Sequence, residues 1–318
     1  MESGMFSKSF SSETIRWHDG DTTKPNPFFI LVVNNIALER PLGANVFVDD
    51  FAAGDPASRK QFTDCVEYIG ENLFGRVPGQ MEKVLSASPF VAKIRFWSMY
   101  VYGLVSNGAT ALAGEDGVAG STIVSPRRSA VPAFLSYIGV NPDIVFIVSR
   151  SPTHMRASAF GTTDDDNQGG ITAYYDGRAF VHRYYHLIPG MAAINVQKAP
   201  SDNAMTPAHE FGHAFSSYTN GFVTDLYVDG DVQFNRKVGR PVPDAFTNYN
   251  GANYASDKAR DSLGYPANWT SYHSELADPA SPALMDNFWY AKGGPLNSRH
   301  DRLTRNYLVD RILAKVSR

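Results

Sequence analysis

His209-Glu210-Phe211-Gly212-His213 is the stretch of this chain whose residue types and spacing can do chemistry. It fits H-E-x-x-H, in which one helix presents two imidazoles to a metal and one carboxylate to a water molecule. A helix turns about 100° per residue, so side chains four apart leave it along nearly the same line. Both imidazoles can then reach one zinc ion at about 2.0–2.1 Å. Glu210 lies about 100° round the helix, placed to touch a water without ligating the metal. The chemistry this predicts is metal-assisted hydrolysis. Glu210 takes a proton as the water attacks a carbonyl and hands it to the leaving amine.

The surrounding residues must form a helix for this to work. Thr206 followed by Pro207 reads as an N-cap and a first-turn proline, which predicts a helix from about Pro207 to Tyr218. On that helix Phe211, Ala214, Phe215 and Tyr218 gather on one side, and His209, His213 and Ser216 on the other. The aromatic side belongs to a core and the imidazole side to a cleft.

Catalytic zinc usually takes a third protein ligand. The extended pattern H-E-x-x-H-x-x-G-x-x-H fails, because Ser216 and Thr219 stand where it requires glycine and histidine. No glutamate occurs between Glu210 and Glu275. The nearest acids are Asp225, Asp229 and Asp231, and His273 is a further candidate.

Composition narrows the alternatives. With 318 residues, 43% hydrophobic and 13% aromatic, the chain can bury a sizeable core. A net charge of −3 without a long basic run argues against nucleic acid or an anionic membrane as partner. No apolar stretch approaches the roughly 20 residues that span a bilayer, so no membrane insertion is expected. The single cysteine, Cys65, excludes an intrachain disulfide and a thiolate metal cluster. It shares an apolar helical stripe with Phe62, Val66, Ile69 and Leu73. Absence of G-x-S-x-G and of a P-loop removes the common serine-hydrolase and nucleotide readings. Asp164-Asp165-Asp166 is a weak pointer to calcium, lacking the spacing of a known binding loop.

Along the chain, residues 1–27 read as a loosely docked arm. Strands are predicted at Phe28–Val33, Ile94–Tyr102 and Asp143–Val148, and helices from Asp55-Pro56 to about Leu73 and over Pro132–Ile138. Glycine and serine between Ser106 and Ser125 predict a long loop. Ile171–Tyr175 reads as an edge strand, with Arg178–Ile188 continuing the sheet. Ile171, Thr172, Ala173, Tyr174 and Tyr175 are the candidate grip on an extended peptide, held through its main chain. Residues 220–299 read mostly as loops, and a final helix is expected from His300 to Val316 with Leu303, Tyr307, Ile312 and Val316 inward.

These elements predict an α/β (α+β) architecture of zincin type: a mixed, twisted sheet backing the H-E-x-x-H helix. A loop-rich lower lobe would follow and end in a C-terminal helix. Residues 28–318 form one catalytic domain in this reading, with an upper lobe to about residue 219 and a lower lobe beyond it. The segment His209-Glu210-Phe211-Gly212-His213-Ala214-Phe215 resembles the H-E-F-G-H-[SA]-F segment of the immunoglobulin-A peptidase family of zinc metallopeptidases. Val223-Thr224-Asp225-Leu226-Tyr227 is similar to that family's following L-x-D-E-Y segment, displaced by about five residues and lacking its glutamate. Ala283-Leu284-Met285 resembles its late L-M segment. The resemblance implies one zinc ion on His209, His213 and Asp225, with Tyr227 assisting the oxyanion and Met285 in a methionine turn beneath the metal. It also implies a peptide or protein substrate, and it favours secretion, whereas a chain complete as written, with no visible leader, would be cytoplasmic. The alternatives are an inactive binding module keeping the zincin cleft, and an effector or toxin protease acting on one protein.

Overall fold

The computed structural model describes residues 10–21, 23, 27–51, 54–86, 91–118, 121–151, 157–160, 189–196, 205–215, 284, 285, 288, 291, 293–300, 305, 308, 309, 312, 313, 315 and 316, with the strands at 171–175 and 180–184. The architecture is mixed α/β. Its main sheet has six strands in the order β1 (Ser11–His18), β5 (Ile94–Tyr102), β2 (Phe28–Asn34), β8 (Ile144–Ser149), β12 (Gly190–Asn195) and β9 (Ser158–Phe160). The four central strands run parallel, and β1 and β9 pair antiparallel at the two edges. A second sheet has the order β4 (Phe47–Asp49), β3 (Ala37–Glu39), β6 (Ala113–Val118), β7 (Ser121–Pro126).

Strand β2 reads Phe-Phe-Ile-Leu-Val-Val-Asn and is buried throughout, as a central parallel strand with both faces covered must be. Alternate residues divide between two cores. Phe28, Ile30 and Val32 meet Phe62, Val66 and Ile69 of α1 (Pro56–Leu73). Phe29, Leu31 and Val33 meet Val131, Phe134 and Leu135 of α2 (Ala130–Ile138) on the opposite face. Helix α1 lies in the connection from β2 to its neighbour β5, while α2 lies in the return from β5 across β2 to β8. One crossover hand with the direction reversed puts the two helices on opposite faces.

Helix α1 begins as the sequence demands: the Asp55 side chain accepts from the Ser58 amide, and Pro56 occupies the first turn. Cys65 is buried on its inner stripe, where desolvation and then the neighbouring Asp64 charge push the thiol up to about 12. The strands expected at Phe28–Val33, Ile94–Tyr102 and Asp143–Val148 and the helix at Pro132–Ile138 are present within a residue or two. Described residues between 305 and 316 are helical, with Leu308, Ile312 and Val316 in the same core as α1. Lys315 anchors that segment on Asp143 at 3.1 Å. Leu303 and Tyr307 lie outside the described residues.

Several expectations are corrected. Ser11–His18, inside the supposed arm, is the β1 edge, because its register on β5 supplies the hydrogen bonds that its polar sequence does not advertise. The supposed loop at 106–125 contains β6 and β7; Asn35 Oδ1 accepts from the Leu112 and Ala113 amides and steers the chain onto β3. Ile171–Tyr175 is a strand, β10, but it pairs with β11 (Phe180–Tyr184) as a separate hairpin and not with the main sheet. The sequence Asp176-Gly177 between these strands is a hairpin signal that favours the local partner. The edge beside β12 belongs to β9 instead. Strand β12 escapes the sequence because glycine and alanine replace the usual β-branched residues. A Cβ on Gly190 would stand 1.9 Å from the Ala214 carbonyl oxygen, so this strand is kept small to admit a helix.

At the carboxyl ends of β2 and β8 a polar network replaces the apolar core. Buried Asp50 accepts from Asn35 Nδ2 at 2.9 Å, Ser149 Oγ at 2.7 Å and the Arg150 amide at 2.7 Å. Desolvation outweighs these donors and raises its carboxyl to about 6. The folded chain therefore binds a proton that the unfolded chain has released between pH 3.8 and about 6. Stability from this group falls as pH rises through that window. The expected contribution is at most about 3 kcal/mol. Urea unfolding at stepwise pH should show Asp50→Asn lacking this decline; equal slopes in both proteins would refute it.

Candidate metal centre

The H-E-x-x-H segment is helical, in α3 (Thr206–Phe215). Phe211 and Phe215 stack at 5.4 Å and both meet the Phe28 ring edge-on, at 6.3 and 5.0 Å. Such aromatic contacts add about 0.5–1.5 kcal/mol each to area burial. They fix the rotation of the helix and turn His209 and His213 away from the sheet. The helix starts one residue earlier than the Thr206 cap implies. The His209 amide bonds to Met205 O at 3.0 Å, which makes Met205 the cap and puts Pro207 second in the helix.

The two imidazoles converge. His209 Nε2 and His213 Nε2 are 3.0 Å apart, with the rings edge-to-face at 4.6 Å. His209 Nδ1 lies 2.6 Å from the Leu284 carbonyl oxygen. A carbonyl only accepts, so Nδ1 carries the proton and Nε2 keeps its lone pair for the cleft side. This carbonyl–imidazole contact is the arrangement that orients a metal-ligating histidine. Two nitrogens on one tetrahedral zinc stand about 3.3 Å apart. Donor type, tautomer and spacing therefore fit a zinc ion. His209, Glu210 and His213 are all buried, at 6%, 6% and 8% exposure, so a charge held between them is poorly screened.

Leu284 and Met285 form a buried turn against the helix. The turn is fixed by the Leu284 amide donating to Arg299 O at 2.9 Å. Phe288 flanks His209 at 5.2 Å, and Met205, Ala208, Leu284 and Phe288 make a small apolar cluster around it. The structure thus brings Met285 to the motif helix. A Cβ on Gly212 would stand 2.3 Å from Met285 Sδ, so the glycine of the motif leaves the space that the methionine side chain occupies.

Among the described residues no group of three His, Cys, Asp or Glu that could hold a metal ion gathers, and the histidine pair offers two candidate donors. Asp225, Asp229, Asp231, His273 and Tyr227 lie outside the described residues, as do Asp164-Asp165-Asp166. Ile171, Thr172, Ala173 and Tyr174 are in the β10–β11 hairpin, a sheet separate from the one whose β9 edge borders α3. Sequence reasoning missed the Leu284 carbonyl and Gly190, neither of which carries a chemical signal in its side chain. No helix among the described residues is long and apolar enough to cross a membrane.

The Gly212–Met285 packing has a sign that can be measured. Alanine at 212 gains about 1 kcal/mol of helix propensity. In the wild-type background the crowded sulfur costs about 1–3 kcal/mol, so Gly212→Ala should be neutral to destabilising. In a Met285→Ala background, already weakened by about 2–5 kcal/mol, the same change should stabilise. Denaturant melts of the four proteins check this, and additivity would show that the two residues do not touch.

No protein-family model matches the chain, and no curated protein matches it.

Proposed function

We propose that the chain is a zinc-dependent metallopeptidase of zincin type that hydrolyses peptide bonds in a peptide or protein substrate. The observation that carries this reading is the convergence of His209 Nε2 and His213 Nε2 at 3.0 Å with the His209 tautomer set by the Leu284 carbonyl. The carboxylate of Glu210, one residue along, supports a catalytic role, since a purely structural metal site has no use for a general base beside a water. The resemblance of the His209–Phe215 segment to the immunoglobulin-A peptidase family supports the same reading, and by that resemblance Asp225 is the third ligand and Tyr227 the oxyanion partner.

Zinc bound here supplies acidification of a water and polarisation of the scissile carbonyl. The chain's own residues do the rest. His209 and His213 hold the ion, and Leu284 keeps the His209 lone pair directed at it. Glu210 receives the proton of the attacking water and delivers it to the leaving amine, work worth about 10²–10⁴-fold in rate. Burial of Glu210 keeps competing solvent away from that proton. Met285 packs as an apolar floor and takes no part in bond making. Among the described strands, β9 is the edge next to α3, and an extended substrate added there would be held through its backbone.

Zinc content and turnover of a peptide library separate the roles. Glu210→Gln should keep stoichiometric zinc and lose at least about 100-fold in kcat. His209→Ala should lose both. Wild-type turnover that survives exhaustive chelation, or full activity in Glu210→Gln, would end the proposal.

A further inference from the structure

The first turn of α3 needs an acceptor that the side chain of its cap residue, Met205, does not provide. With Met205 as the cap residue, Thr206, Pro207 and Ala208 are the first three helical positions. A capping side chain normally accepts from the amide of the second or third. Pro207 has no N–H and Met205 has no oxygen in its side chain, so the amide at issue is that of Ala208. It donates to Asn72 Oδ1 at 2.8 Å, from the far end of α1. The Asn72 Nδ2 points to Met205 Sδ at 3.6 Å, so the amide orientation is fixed: flipped, it would set its NH2 against another N–H. Asn72 is fully buried, and its own carbonyl accepts from Gln80 Nε2 at 2.7 Å, which also bonds Glu82 O at 2.9 Å.

We propose that Asn72 is a positioning residue of the metal centre: it caps the motif helix from another helix and so sets the register of His209, the next residue after Ala208. The inference rests on the metallopeptidase reading for what the register serves. Loss of the Asn72 oxygen leaves a buried amide without its acceptor at the residue preceding a ligand, and the first turn can only recover it by unwinding. His209 then leaves the line it shares with His213.

Competition with a chromophoric chelator measures zinc affinity on the full chain without requiring turnover. Asn72→Leu, near-isosteric without the acceptor, should weaken zinc binding by about ten-fold or more, the range seen for residues that orient ligands. Asn72→Asp keeps an acceptor toward the Ala208 amide and should stay within about three-fold of wild type, its charge favoured at a helix N-terminus. Val66→Ala, a core cut in the same helix, should lower the melting temperature without a comparable loss of affinity. If Asn72→Leu does not fold, Asn72→Ser removes the oxygen from reach with a smaller cut. Wild-type zinc binding with equal affinity in Asn72→Leu or Asn72→Ser overturns the positioning role alone, as does an Asn72→Asp loss as large as theirs. A wild-type protein that binds no zinc overturns the parent reading and this one together.

Discussion

The carbonyl oxygen of Ala214 rests where a side chain on Gly190 would have to be, and the placing of the histidine pair depends on that closeness. A helix pressed this tightly to a strand cannot roll. Phe211 and Phe215 occupy the space between helix and sheet against Phe28, so the opposite face is presented at one angle only. That face carries His209 and His213. The turn at Leu284 and Met285 then closes over it, with the missing Cβ at Gly212 admitting the Met285 sulfur. Two glycines, one on each side, let backbone and sulfur approach where a methyl would hold them off.

The two ends of the main sheet do different work. Helix α3 meets Asn72 at the end of α1 and Gly190 at the start of β12, so it lies toward the amino ends of the parallel strands. At the carboxyl ends, between β2 and β8, Asn35, Asp50 and Ser149 form a buried network whose hydrogen bonds join the two sheets. Strand order changes direction between these two strands, and in open α/β sheets that crevice commonly takes a ligand. Here Asn35, Asp50 and Ser149 bond to one another and to the second sheet, and the polar groups serve cohesion between sheets.

Local patterns in the chain disclosed some parts of this architecture and hid others. Strands β2, β5 and β8 were legible because each is a run of large apolar or aromatic residues, and α1 because Asp55-Pro56 precedes a stripe from Phe62 to Leu73. Strand β12 was not, since Gly190 and Ala192 are small on the face that meets a helix only the fold places there. The same applies to β10: its alternation read correctly as a strand, but nothing in Ile171–Tyr175 distinguishes a sheet edge from a hairpin. In the site, the histidine pair followed from a four-residue spacing. Asn72 and the Leu284 carbonyl did not, because each acts across a long sequence separation through a group that every asparagine or every residue possesses.

Cys65 leads to a conclusion about the surroundings this chain tolerates. Its sulfur is enclosed by the α1 core and holds its proton far above neutral pH, so it offers glutathione and peroxide almost no thiolate. Nothing else in the sequence can form or exchange a sulfur–sulfur link. Thiol redox poise therefore leaves the fold untouched, and the chain can mature equally under oxidising or reducing conditions.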